Sequence, residues 1–192
     1  MMTFGELLQQ NKNAIVGRWL KIALSVYADE ASAAFQRQKD PFANPVGHRL
    51  RVGTREIFEE LLGEMEGEKI RQHLHEIISI RAVQELPPSR IVGFVFELKD
   101  AIRKELGGAA EDPQFASELA TLDGQIDRIG LDAFDVFAEC RKRLCELRVN
   151  EVKRQVAWVV GKMNASGSDS ESAQFDRDVT TPEEADVQRE GV

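Results

Sequence analysis

From Asp112-Pro113 onward the apolar residues keep a single rhythm for about fifty positions, which constrains the fold more than anything else in the chain. Phe115, Leu119, Leu122, Ile126, Ile129, Ala133, Val136 and Cys140 alternate steps of four and three. That is the heptad spacing by which one helix lays a seam against another. The phase slips near Leu144 and Leu147, then resumes with Val152, Val156, Val159 and Met163. A continuous helix over 113–163 is roughly 75 Å long at 1.5 Å per residue. A domain of this size is narrower than that, so the far end is expected to protrude, bend or pack on another subunit. The seam therefore predicts a homodimer, with Phe94, Leu98, Leu122, Ile126, Ile129, Ala133, Val136 and Cys140 as its interface.

Upstream, helical periodicity continues and no period-two strand stands out. Leu7, Leu8, Ile15, Val16, Trp19, Leu20, Ala23 and Tyr27 form a stripe over 4–27, and a short helix is expected over about 30–38. The run KDPFANP, Lys39 to Pro45, cannot continue a helix, because it places two prolines, an Asp and an Asn within seven residues. Asn44 before Pro45 has the form of an N-cap followed by proline in the first turn. The helix it opens carries Val46, Leu50, Ile57, Phe58, Leu61, Leu62 and Met65, with Gly63 and Gly67 at its end. The next is expected over 68–85, stopped by LPPS at Leu86–Ser89. Residues 89–106 are apolar on more than one stripe and predict a helix packed on two sides, closed by Gly107-Gly108. The fold class is thus all-α, a helical bundle with a very long C-terminal helix.

Charge separates a tail from this bundle. The net charge is −8. Residues 164–192 hold eight acidic and two basic groups, which accounts for most of it. Such a segment lacks the apolar material to offset its ordering entropy. The expected organisation is therefore a helical domain over 1–163 and an acidic disordered tail over 164–192. An acidic chain is not suited to nucleic acid, whose phosphates call for a basic surface. No run of about eighteen apolar residues predicts a membrane-spanning helix. Cys140 and Cys145, five apart on one helix, point to different faces. With no cysteine framework and no signal-like start, the expected compartment is the cytoplasm.

Chemistry-bearing constellations are few. There is no phosphate loop, nucleophile elbow or metal-spaced Cys/His cluster, so the chain is expected not to be an enzyme and to carry no metal. His73 and His75 are two apart and diverge on a helix, so they cannot chelate one ion as an i,i+4 pair does. Carboxylate pairs such as Glu64 and Glu68 read as solvated helix faces. The run Glu139–Arg154 alternates charge and reads as a solvent-facing helix exterior or a docking surface. The candidate ligand or loop-locking residues are Asp40, Phe42, Asn44 and His48 around the proline loop, with Arg81 and Gln84 in SIRAVQE. Arg81 is expected at the helix boundary; a buried Arg would need a carboxylate or carbonyl partner.

Taken together, LLQQNKNAIVGRWL, KDPFANPVGHRL, SIRAVQELPPSRIVGFVFELKDAIRKEL and CELRVNEVKRQV resemble the N-terminal domain of the RsbT co-antagonist (RsbRD) family, over about residues 4–160. KDPFANPVGH is the most specific piece. The resemblance implies a globin-related helical sensor of stress signalling that dimerises through its last two long helices, the final one relaying the signal. It would place a STAS output domain next. Here an acidic tail follows Met163, so the signal is expected to pass to a separate, unidentified regulatory or output protein. Alignment with globin-type sensors puts the haem-ligand position at Ile80, five and seven residues beyond His75 and His73. An apolar residue cannot ligate iron, so no haem and no other cofactor is expected. The competing readings are a binder of haem or a small apolar ligand, and an accessory subunit of a larger complex such as a membrane-associated redox enzyme.

Overall fold

The computed structural model describes residues 2–27, 35, 37, 40, 42–84 and 86–175, with side chains as far as Met163. It is all-α. The helices are α1 (Phe4–Leu24), α2 (Pro45–Leu62), α3 (Gly67–Ala82), α4 (Pro88–Val92), α5 (Glu97–Leu106) and α6 (Ala116–Phe175). Short 3-10 turns at Gly93–Val95, Gly107–Glu111 and Pro113–Phe115 join the later ones. The chain divides into two compact units, Met1–Leu144 and Cys145–Val192.

Local chemistry explains where the helices start. Thr3 opens α1 with a capping box: its hydroxyl accepts from the Glu6 N–H, and the Glu6 carboxylate accepts from the Thr3 N–H. Asn44 caps α2, its Oδ1 accepting from the Gly47 N–H at 2.8 Å, with Pro45 in the first turn as expected. Leu8, Ile15, Trp19 and Leu24 of α1 share one buried core with Leu50, Ile57 and Phe58 of α2; α2 packs in turn on α3, which buries Ile70, Leu74, Ile77 and Ile78, and α1 packs on α5. Gly53 lets α2 approach α3 closely, since a Cβ there would stand 2.6 Å from the Ile77 Cδ1.

Three observations bear on these expectations. The single helix over 89–106 is broken into α4, a 3-10 turn and α5. At the break the Phe94 carbonyl accepts the Trp19 indole N–H at 2.6 Å, so α1 fastens the turn from outside. The heptad residues do not form a free seam. Phe94, Leu98, Leu122, Ile126, Ile129, Ala133 and Val136 are buried in this chain's own core, and Cys140 packs against it half-buried. Four-and-three spacing describes helix packing within a bundle as well as between chains, so it could not say which. Lastly, the backbone stays helical beyond Met163 to Phe175. The rest of the expected tail, 176–192, lies outside the described residues, as does nearly all of the short helix expected at 30–38.

Candidate functional site

The most unusual group in the first unit is Arg81, in the last turn of α3. It is 0 % exposed, among the largest fully buried side chains of the molecule. Its guanidinium lies where two helices end. Nη2 donates to the Ala23 carbonyl in the last turn of α1 at 2.5 Å, and Nη1 reaches the Ile91 carbonyl of α4 at 3.5 Å. A cation there satisfies carbonyls that the helices leave unpaired and faces the negative ends of their dipoles. Aromatic rings enclose it, with Phe94 at 4.9 Å and Tyr27 at 5.8 Å from ring centroid to guanidinium carbon. These rings extend the contact: Trp19 stacks on Phe94 at 5.9 Å, and Tyr27 meets Phe35 edge-on at 5.1 Å.

Phe35 connects this ladder to the proline loop. Its carbonyl accepts from Asn44 Nδ2 at 2.8 Å and from Arg51 Nη2 at 3.4 Å. Asn44 therefore works in two directions, capping α2 and tying the segment after α1. Asp40 Oδ1 accepts from the Phe42 N–H at 2.9 Å, an Asx turn that shapes the loop. Phe42 itself is 96 % exposed. His48 is half-buried on α2. Asn44 and Arg81 thus join one network through Phe35 and Tyr27, whereas Phe42 lies outside it.

Electrostatically, Arg81 differs from the expected boundary residue. Burial pushes its pKa down from the ordinary guanidinium range, and the neighbouring Tyr27 hydroxyl opposes that shift. A guanidinium remains charged even so. Its Nε has no hydrogen-bond partner, and neither do the buried Tyr27 hydroxyl and Gln84 Oε1. Sequence reasoning named Arg81 and Gln84 but missed this role for Tyr27 and Trp19, read as part of a core stripe, and for Phe94, read as a dimer-interface residue.

Elsewhere the surface offers grooves. One of about 480 Å³ lies between α3 and α6, lined by Met65, Glu68, Arg71, Gln125, Arg128 and Asp132. Met65 at its edge holds a left-handed backbone, φ 53°. His75 is exposed in a neighbouring groove, and His73 is half-buried with its Nδ1 unpartnered. Ile80, at the position the haem alignment marked, is half-buried. Among the described residues no group of three or more His, Cys, Asp or Glu could hold a metal ion. Cys140 is no activated nucleophile. Burial first, then Glu139, raises its thiol pKa, and Arg143 only partly counters them. No described helix is long and apolar enough to cross a membrane.

In the second unit the apolar residues of α6 stand in solvent. Cys145, Val149, Val152, Val156, Val159 and Met163 alternate steps of four and three, and all are exposed. Trp158, 66 % exposed, lies beside this row with the Lys162 ammonium 5.0 Å above its ring.

Neither the search of curated proteins nor that of solved structures returns a match. Residues 13–152 match the family described as the RsbT co-antagonist protein rsbRD N-terminal domain. That span runs from within α1 through the Arg81 network and into the exposed part of α6, and the chain belongs to this family of stress-signalling sensor domains.

Proposed function

We propose that this chain is a non-catalytic, cytoplasmic sensory and regulatory module that works as a homodimer and relays its state to a regulatory or output partner by protein contact. The observation that carries the reading is the exposed four-and-three row of Cys145–Met163, within a chain of the RsbRD N-terminal family. Exposed apolar side chains at single positions are ordinary, but a continuous stripe at coiled-coil spacing is a face awaiting a helix. The likeness to globin-type sensors belongs to the same reading, with the ladder from Trp19 to Phe35 filling the interior. Asn44 and Asp40 then serve as loop-locking residues.

Sedimentation of the full chain and of Val156→Asp tests it. The wild type is expected to run as a dimer at micromolar concentration. The variant is expected to be monomeric with its helical circular dichroism unchanged, since Val156 takes no part in the core of the first unit. A wild type that stays monomeric refutes the dimer.

A further inference from the structure

Cations edge the exposed row Cys145–Met163. Its steps of four and three define two flanking edges, one with Arg148, Gln155 and Lys162 and the other with Glu146, Lys153 and Val160. Three of these six are cations and one is an anion, and all stand in solvent. On the outer side of the helix charge is already matched. Arg154 meets the Glu151 carboxylate at 2.5 Å, and Gln155 Nε2 donates to the same carboxylate at 3.2 Å. Arg148, Lys153 and Lys162 belong to no ion pair among the described residues. In the first unit, by contrast, Lys12, Arg18, Lys69, Arg71, Lys99 and Arg103 each meet a carboxylate. Two copies meeting on the row therefore set cation against cation, and like charges at flanking positions disfavour a coiled coil.

The chain carries a counter-charge close by. Residues 176–192 hold Asp176, Asp178, Glu183, Glu184, Asp186 and Glu190 against Arg177 and Arg189. They follow directly on α6, which runs to Phe175. Their reach is sufficient. From Phe175 back to Lys153 is roughly 33 Å of helix, and to Arg148 roughly 40 Å, at 1.5 Å per residue. The seventeen residues of 176–192 extend to about 55–60 Å. Glu183, Glu184 and Asp186 can thus come level with Lys153, and Glu190 can reach Arg148. Tethering raises their effective concentration well above that of a free peptide, so pairs that are weak singly still hold. The same residues contain almost no large apolar side chains, so they suit the charged edges and leave the apolar row open. We propose that residues 176–192 fold back along their own α6 as an acidic arm, with carboxylates set on Arg148, Lys153 and Lys162, and supply the counter-charge under which the row accepts a second copy. That last role rests on the dimer proposed above; the fold-back does not.

A zero-length carbodiimide, which joins a carboxylate to an amine only where the two touch, tests the arm on the full chain. Links are mapped by mass spectrometry of tryptic peptides from the gel band of one-chain mass, so only contacts within a chain count. Lys12 and Glu59, 2.5 Å apart in the first unit, give the positive control. In low salt the expected result is a link from Lys153 or Lys162 to Glu183, Glu184, Asp186 or Glu190. It is expected to vanish at about 1 M salt, where the Debye length is roughly 3 Å, while the control link persists. A control link with none from the arm overturns the proposal. Arm links confined to the band of two-chain mass also overturn it, because the arm then lies on the second copy. Sedimentation of a full-chain variant with Glu183→Gln, Glu184→Gln, Asp186→Asn and Glu190→Gln reads the role in pairing. In low salt this variant is expected to dimerise roughly fivefold to tenfold more weakly than the wild type, and to converge on it as salt screens the bare cations. Equal dissociation constants in low salt overturn the counter-charge role. A wild type that stays monomeric yet shows the links refutes the dimer and that role with it, and leaves the fold-back standing; a dimer without the links refutes the arm alone.

Discussion

At the scale of single residues, Arg81 raises the question of what a buried charge is for. Keeping a guanidinium out of water costs several kcal/mol, and the usual compensation is a charged partner. Replacing it with Met would relieve that penalty while leaving the Ala23 and Ile91 carbonyls short of a donor, at about 1–3 kcal/mol for a buried unsatisfied group. The two effects oppose each other. Arg81→Met is therefore expected to unfold in urea within about 1 kcal/mol of the wild type. Arg81→Ala also opens a cavity and should lose about 2–4 kcal/mol. If both variants fall equally far, the guanidinium is structural. Sequence alone showed that an Arg in SIRAVQE was worth watching but not that it was buried. Its neighbours Ala23 and Tyr27 lie more than fifty residues away, and only the folded chain brings them to it. Cys140 shows a similar limit. Its place on the helix was legible, yet the raised thiol pKa comes from burial. Alkylation by iodoacetamide at mildly alkaline pH is expected to be slower at Cys140 than at exposed Cys145, as peptide mass mapping would show. Faster labelling of Cys140 would mean that the local packing opens.

Elements were more legible than contacts, because their signals are local. Asn44-Pro45 marked the start of α2 correctly, and the periodicities of α1, α2, α3 and α6 correspond to real helices. The sequence could not show that the Asn44 side chain faces both ways, toward Gly47 and toward Phe35. Gly47 sits in that junction. A Cβ there would stand 2.7 Å from the Phe35 carbonyl and 2.3 Å from Asn44 Nδ2. Gly47→Ala is therefore expected to cost about 1–3 kcal/mol by overpacking, although alanine is the better helix former. Asn44→Ala loses the cap and one bond to Phe35, about 1–2 kcal/mol. The two changes remove the same junction, so the double variant should lose clearly less than their sum. Simple additivity in chemical denaturation would show that the cap and the loop tie are separate. The break after Val92 had a local signal in Gly93, which opens the 3-10 turn, but the Trp19 indole that fastens the turn from another helix was not legible.

For the whole molecule, one rhythm served two purposes, and the sequence could not divide them. The heptads up to Cys140 pack this chain's own core, while those from Cys145 to Met163 remain in solvent. The second set predicts how two copies meet. Val149, Val156 and Met163 stand at one seam position and Cys145, Val152 and Val159 at the other, so β-branched residues occupy both and do not by themselves select two strands. The flanking charges then choose the direction. In an antiparallel pair with the row fully overlapped, Lys153 would face Lys153 of the second copy and Arg148 would face Lys162, so the charged contacts are repulsive. In a parallel pair over the same row Arg148 faces Lys153 and Gln155 meets Val160, so the parallel pair carries fewer repulsive charged contacts. Pairs of this kind amount to roughly 0.3–0.5 kcal/mol each, enough to bias orientation without setting affinity. Parallel pairing puts Cys145 opposite its own copy at a seam position, whereas antiparallel pairing puts it opposite Met163. In a Cys140→Ser background, mild oxidation is therefore expected to link the chain into a covalent dimer through Cys145, and a Met163→Cys, Cys145→Ser variant should link in the same way through position 163. If neither variant links with itself but a mixture of the two crosslinks readily, the helices run antiparallel. The signal would then leave the two sensor units from opposite ends rather than side by side.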